Sequence, residues 1–162
     1  MTDKTVVMGF GNPVRSDDAV GVYVITQLKE KGIASEHITL LDMGTSAFEV
    51  LFQLKGHQRI IIIDAVIHSG EPIGTLFKVP ANEIEGYIED DPLVFLHSLK
   101  WSQALSYAKK ILQEEYPKNI EVYLIAIEDT RLEIQMSLSV KEAADNLVNI
   151  LQETLYENTL TP

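Results

Sequence analysis

The sequence predicts an α/β fold: a three-layer αβα sandwich on a mostly parallel, twisted sheet of about five strands, with one antiparallel edge strand. Three observations lead there. The run Arg59-Ile60-Ile61-Ile62-Ile63-Asp64-Ala65-Val66 holds four consecutive isoleucines. That is too apolar for a strand with one wet face, and it suits a strand covered by helices on both sides. Strand-like and helix-like patterns alternate through the first half of the chain, the order that produces parallel strands joined by helical crossovers. Finally, the link after the isoleucine strand is too short for a crossover helix, so the strand that follows should run antiparallel at a sheet edge.

Taken in order, Lys4 to Gly9 reads as the first strand, β-branched and stopped by glycine. Gly9-Phe10-Gly11-Asn12-Pro13 must be a loop. Asp17 to about Lys31 reads as a helix, with Val20, Tyr23, Val24, Leu28 and Lys31 at helical spacing and Gly32 as the stop. Ile38 to Asp42 is a second strand. Ala47 to Leu54 follows as a short helix with Phe48, Leu51 and Phe52 on its apolar face. The isoleucine run is strand three, and Thr75 to Val79 is the edge strand before Pro80. Glu83 to Pro92 is acidic and poorly patterned, which suits a surface loop. Ser98 to about Glu115 is helical, with Leu105, Ala108, Ile111 and Leu112 on one face, and Ile120 to Ile125 is the last strand. Ser139 offers an N-cap for a helix over Val140 to Leu155, with Ala143, Ala144, Leu147, Ile150 and Leu151 facing the core. The expected organisation is one domain over 1–157 and a frayed tail at 158–162.

Composition narrows the function. The 162 residues suit one domain that needs no covalent staples. There is no cysteine, which excludes disulfides, thiolate zinc sites and a cysteine nucleophile. Formal net charge is -11, from 24 acids against 13 bases, and no basic stripe is present. Nucleic acid is therefore not an expected partner. No apolar run approaches the roughly 18 residues of a membrane span, and Met1-Thr2-Asp3-Lys4 does not open a signal peptide. A cytoplasmic protein is expected.

Several common site types fail on inspection. Gly9-x-Gly11 follows a strand, but the third glycine of a dinucleotide fingerprint would fall at Val14, and the spacer carries Pro13 and Arg15. There is no phosphate loop and no Gly-x-Ser-x-Gly elbow. What remains is a set of acids and a histidine at strand ends and helix starts. Asp64 ends the isoleucine strand, where ligands bind in open α/β sheets, although an acid there can also simply cap a turn. Asp17 and Asp18 open the first helix, where the helix dipole favours carboxylates. Asp17 is expected to cap that helix. Asp18, about 100° further round the axis, can face across the top of the sheet toward Asp64. His97 precedes a helix, His68 lies in a turn near Asp64, and Asp42 ends strand two. Two carboxylates and an imidazole converging at the sheet's end would make an oxygen and nitrogen site suited to zinc, nickel or related ions.

These residues also carry a resemblance. Gly9-Phe10-Gly11-Asn12-Pro13-Val14-Arg15-Ser16-Asp17-Asp18-Ala19-Val20-Gly21 resembles the opening signature of the hydrogenase maturation proteases, endopeptidases that trim the C-terminus of the nickel–iron hydrogenase large subunit. Asp42-Met43-Gly44-Thr45 resembles the family's Asp-x-Gly-Thr, and Ile62-Ile63-Asp64-Ala65 its strand ending in Asp-Ala. His97 lies where the family places a ligand histidine.

The resemblance implies Asp18, Asp64 and His97 as metal ligands, with His68 the fallback, and Asp42 as an acid that handles substrate. The family often has glutamate at the position of Asp18, and the shorter side chain needs a slightly closer helix. The resemblance further implies an endopeptidase that acts on a large-subunit precursor and recognises nickel already installed there; a monomer is the expected state, which the sequence does not settle. Other divalent metals could occupy the same ligands. Rival readings are a metallopeptidase with its own metal and another substrate, a non-catalytic chaperone of the nickel-loaded precursor, and a nucleotide-binding regulatory domain using Gly9-Phe10-Gly11.

Overall fold

The isoleucine run forms the middle of the sheet. In this computed structural model, which describes residues 3–12, 16–47, 49–81, 100–128 and 136–160, the strands are β1 (Thr5–Phe10), β2 (Ile38–Gly44), β3 (Arg59–Val66), β4 (Leu76–Pro80) and β5 (Asn119–Ala126). Their spatial order is β2-β1-β3-β5-β4. The pairs β1–β2, β1–β3 and β3–β5 are parallel, and only β4 runs antiparallel, against β5 at the edge. The expected fold class is the one observed.

Alternation along β3 explains the four isoleucines. Ile61 and Ile63 join a core with α1 (Val20–Glu30) and α4 (Leu138–Leu160), while Ile60 and Ile62 join a second core with α2 (Val50–Gln53) and α3 (Trp101–Leu112). All four are fully buried. Each such side chain contributes about 1.5–3 kcal/mol of transfer free energy. A single polar residue within the run would therefore break a core on one face or the other.

Some helix details differ from the sequence reading. The short helix buries Val50 and Leu54, whereas Phe52 is 64% exposed, so its apolar face is turned from the expected one; Phe48 lies outside the described residues. On α3 the buried set is Ala104, Leu105 and Ala108, and Ile111 is 71% exposed. On α4, Val140, Leu147, Val148, Leu151 and Leu155 carry the core, Ile150 is 42% exposed, and the helix continues to Leu160. In each case one apolar residue of the expected face is turned to solvent, and Phe52 lies about 160° round the axis from Leu54. The neighbouring helix and sheet fix the rotation, and periodicity alone does not. His97 and the acidic stretch from Glu83 lie outside the described residues.

Two glycines of the first signature set how closely α1 lies on the sheet. A Cβ on Gly9 would collide with the backbone oxygen of Gly21, and a Cβ on Gly21 would collide with the backbone oxygens of Phe10 and Ile63. Strand and helix meet backbone to backbone here, which no other residue type permits. The spacing Gly9…Gly21 is thus a packing requirement. A Cβ on Gly11 (φ +151°) would meet the backbone oxygen of Asp18. The glycines of Gly9-Phe10-Gly11 therefore make room for this chain's own backbone, and the approach a pyrophosphate would need is already filled.

Candidate active site

The sheet's connections diverge between β1 and β3, since β2 lies beyond β1 while β5 and β4 lie beyond β3. Crevices form at the carboxyl ends of strands flanking such a switch point. A cleft of about 450 Å³ opens there, lined among others by Phe10, Gly11, Asp18, Thr45, Asp64 and Trp101. Asp18 follows β1 and Asp64 lies in the last turn of pleat of β3, so the topology itself delivers both acids to one place.

Asp64 is held at both oxygens. Its Oδ1 accepts the Ala65 backbone N–H at 2.8 Å, and its Oδ2 accepts the indole N–H of Trp101 at 2.8 Å. Burial pushes its carboxyl up from the ordinary 3.8 to about 6. The bonds from Trp101 and Ala65 pull the other way, and the charge of Asp18 adds a smaller upward push. A buried carboxylate beside a second one is a position that a bound cation would relieve.

Asp18 is half-buried, and its Oδ2 accepts the Asn12 backbone N–H at 3.3 Å. It belongs to a short 3₁₀ turn, Ser16–Ala19, that precedes α1. Asp17 does not cap α1, as the sequence suggested; the residue before that helix, Ala19, makes no side-chain cap. Instead Asp17, 8% exposed, accepts the Ser137 backbone N–H at 2.6 Å and the Ser137 hydroxyl at 2.8 Å. Ser137 stands just before α4 and its carbonyl accepts the N–H of Lys141. That helix accordingly starts ahead of the expected Ser139 cap. A carboxylate at the start of α4 satisfies a donor there and complements the helix dipole. The consequence for the site is directional: with Asp17 drawn toward α4, the adjacent Asp18 is left facing the cleft.

Asp42 is exposed, and its Oδ1 accepts the Gly44 backbone N–H at 2.9 Å. Gly44 takes φ +53°, and its carbonyl accepts the Gly11 N–H. The Asp-x-Gly-Thr stretch thus builds a turn that brings Thr45 to the cleft wall, while Asp42 itself is not among the lining residues. His68 lies in an exposed turn at φ +56° and does not line the cleft either. Among the described residues, no three His, Asp or Glu side chains gather around one point. The structure thus brings Asp18 and Asp64 together, leaves Asp42 and His68 off the cleft, and does not describe His97.

Trp101, Ser137 and Lys100 are not singled out by the sequence, whereas Thr45 enters through the Asp-x-Gly-Thr stretch. Trp101 reads as an apolar residue at a helix start, and its bond to a residue 37 positions earlier leaves no local signal. The Asp17–Ser137 pair spans 120 positions and leaves none either.

The sequence profile described as hydrogenase maturation protease matches residues 22–154. The chain belongs to the hydrogenase maturation protease family. It is 24% identical over 155 residues to the hydrogenase 2 maturation protease of Escherichia coli, covering 96% of this chain and 92% of that one. It is 29% identical to a putative hydrogenase maturation protease of Methanocaldococcus jannaschii, covering 95% and 89%. The crystal structure of the NiFe hydrogenase maturation protease HycI from Thermococcus kodakarensis superposes with a TM-score of 0.72 at 25% identity, over 96% of this chain and 94% of that one. The fold of the Escherichia coli endopeptidase HybD matches with a TM-score of 0.70 at 22% identity, over 93% of each chain. Among the described residues no helix is long and apolar enough to cross a membrane.

Proposed function

We propose that this protease removes the C-terminal extension of a nickel–iron hydrogenase large-subunit precursor, in the cytoplasm, once nickel has been inserted. The observation that carries the reading is the convergence of Asp18 and Asp64 on one cleft, both as oxygen donors at the end of the sheet. Such donors suit a divalent ion, and neighbouring carboxylates favour a cation between them. The ion is the precursor's own and arrives with the substrate. Asp18, Asp64 and His97 bind it and so draw the scissile peptide into the cleft. Nickel bound there would polarise the peptide carbonyl or the attacking water. The protein's part is to orient, through acids whose positions are fixed by β1, β3 and α4. Asp42 is the acid assigned to substrate handling, through the turn it shapes beside Thr45.

The test is to incubate the protease with nickel-loaded and nickel-free precursor and to weigh the products. Loss of the C-terminal peptide from the loaded form alone is expected. A second reading is favoured by the raised carboxyl of Asp64, at about 6: a carboxylate near neutrality can accept a proton from water without any metal. Equal cleavage of both precursors would select that reading, and binding without cleavage would select the chaperone.

A further inference from the structure

We propose that Trp101 is a positioning residue of this protease: its indole N–H fixes the rotation of the Asp64 carboxylate that faces the cleft. The proposal rests on the reading of that cleft as the protease site. The terminal torsion of an aspartate is broad and has no sharp rotamer of its own. One anchor, the bond from Ala65 N–H to Oδ1 at 2.8 Å, leaves the carboxylate free to swing about that oxygen. The second anchor, Trp101 Nε1 to Oδ2 at 2.8 Å, sets its plane. A carboxylate offers about four lone-pair sites. With one on each oxygen engaged, the remaining lone pair of each oxygen is what the carboxylate can present to substrate.

The anchor is itself held in place. Trp101 is the first residue of α3, whose start is closed by the Lys100 N–H donating to Gln103 Oε1 at 3.0 Å and the Ala104 N–H donating to the Lys100 carbonyl at 2.9 Å. The indole ring lies 6.4 Å from the ring of Phe10, tilted by 35°, within aromatic contact range. The other side of the cleft thus acts on Asp64 through a helix start, an indole and one N–H. Catalytic geometry is sensitive on this scale, since a displacement of about 1 Å can lower a rate by about a hundredfold.

Trp101 is the only tryptophan in the chain, so replacing all tryptophan by 3-benzothienylalanine exchanges the indole N–H for sulfur at this site alone, with the shape kept. The expected result is a fall in kcat for precursor processing of about tenfold to a hundredfold, with KM and Tm little changed, and the same from Trp101→Phe. A crystal structure of the isostere should show the Asp64 carboxylate rotated out of its present plane. Processing by the isostere at the unsubstituted rate would overturn the proposal. If the unsubstituted protein processes no precursor, the protease reading fails by itself and the crystal structure decides: an Asp64 carboxylate unmoved in the isostere overturns the proposal, and a rotated one supports it.

Discussion

Asp18 and Asp64 reach the same cleft by different physical means. Asp64 rides on a buried strand, with each oxygen engaged at 2.8 Å. Asp18 sits on a 3₁₀ turn with one longer bond of 3.3 Å, and its direction comes from a neighbour, Asp17, tied to α4. One acid is preorganised and strongly desolvated. The other, half-buried on its turn, is held by a single longer bond. On the function proposed above, the pair divides two tasks, with Asp64 as the fixed reference and Asp18 as the arm that closes on the substrate's ion.

The largest expected effects break this pair outright. Asp18→Ala and Asp64→Ala should each abolish precursor processing, read as mass loss, while circular dichroism stays that of the folded protein. Glutamate substitution then separates the two arms. Asp18→Glu should keep processing within about tenfold, because a half-buried turn accommodates one methylene. Asp64→Glu should lower it by about a hundredfold or more, because both anchors are tuned to the shorter side chain.

Next in size is the anchor of the adjustable arm. Asp17→Ala removes both acceptors of Ser137 and should destabilise the fold by about 1–3 kcal/mol, measured by urea unfolding. Ser137→Ala, which keeps the backbone N–H bond, should cost about 1 kcal/mol. Equal losses would mean that the hydroxyl alone holds the turn.

The pH response tests the fixed arm. Because the folded carboxyl of Asp64 titrates near 6 against an ordinary 3.8, the folded state holds this proton more tightly than the unfolded chain does. Its contribution therefore favours folding at low pH and is lost as pH rises from about 4 to 6. Between pH 4 and pH 7, in chelator, the stability of the unsubstituted protein should fall relative to Asp64→Asn by up to about 3 kcal/mol. The smallest effect concerns the coupling of the two arms. Asp18→Asn should move the titration of Asp64 down only slightly, as seen in its carboxyl carbon resonance, since burial is the main cause of the shift.

Much of this fold is legible in the residues. The isoleucine run fits a doubly covered strand, and the short link after it favours an antiparallel edge; both are observed. Asp64 at the strand's end and Asp18 after the glycine signature both follow from local pattern plus topology. Other features depended on contacts between distant parts of the chain. The rotation of α2, which buries Leu54 and leaves Phe52 out, is decided by what it packs against. Asp17 looked like a cap for its own helix and serves a helix 120 positions later. Trp101 holds an acid 37 positions earlier, a contact that leaves no local mark in the sequence.

The contact between Gly9 and Gly21 carries a consequence for how relatives of this protein can diversify. The α1 side of the groove is already at its limit of closeness and cannot recede without dismantling the strand–helix seam. Any widening or reshaping to suit a different client must fall on the facing rim, where Thr45, Ala47 and Ser102 line the cleft with side chains outside the Asp64 anchor. One bank of the groove is pinned by the architecture, and selection has the other to work with.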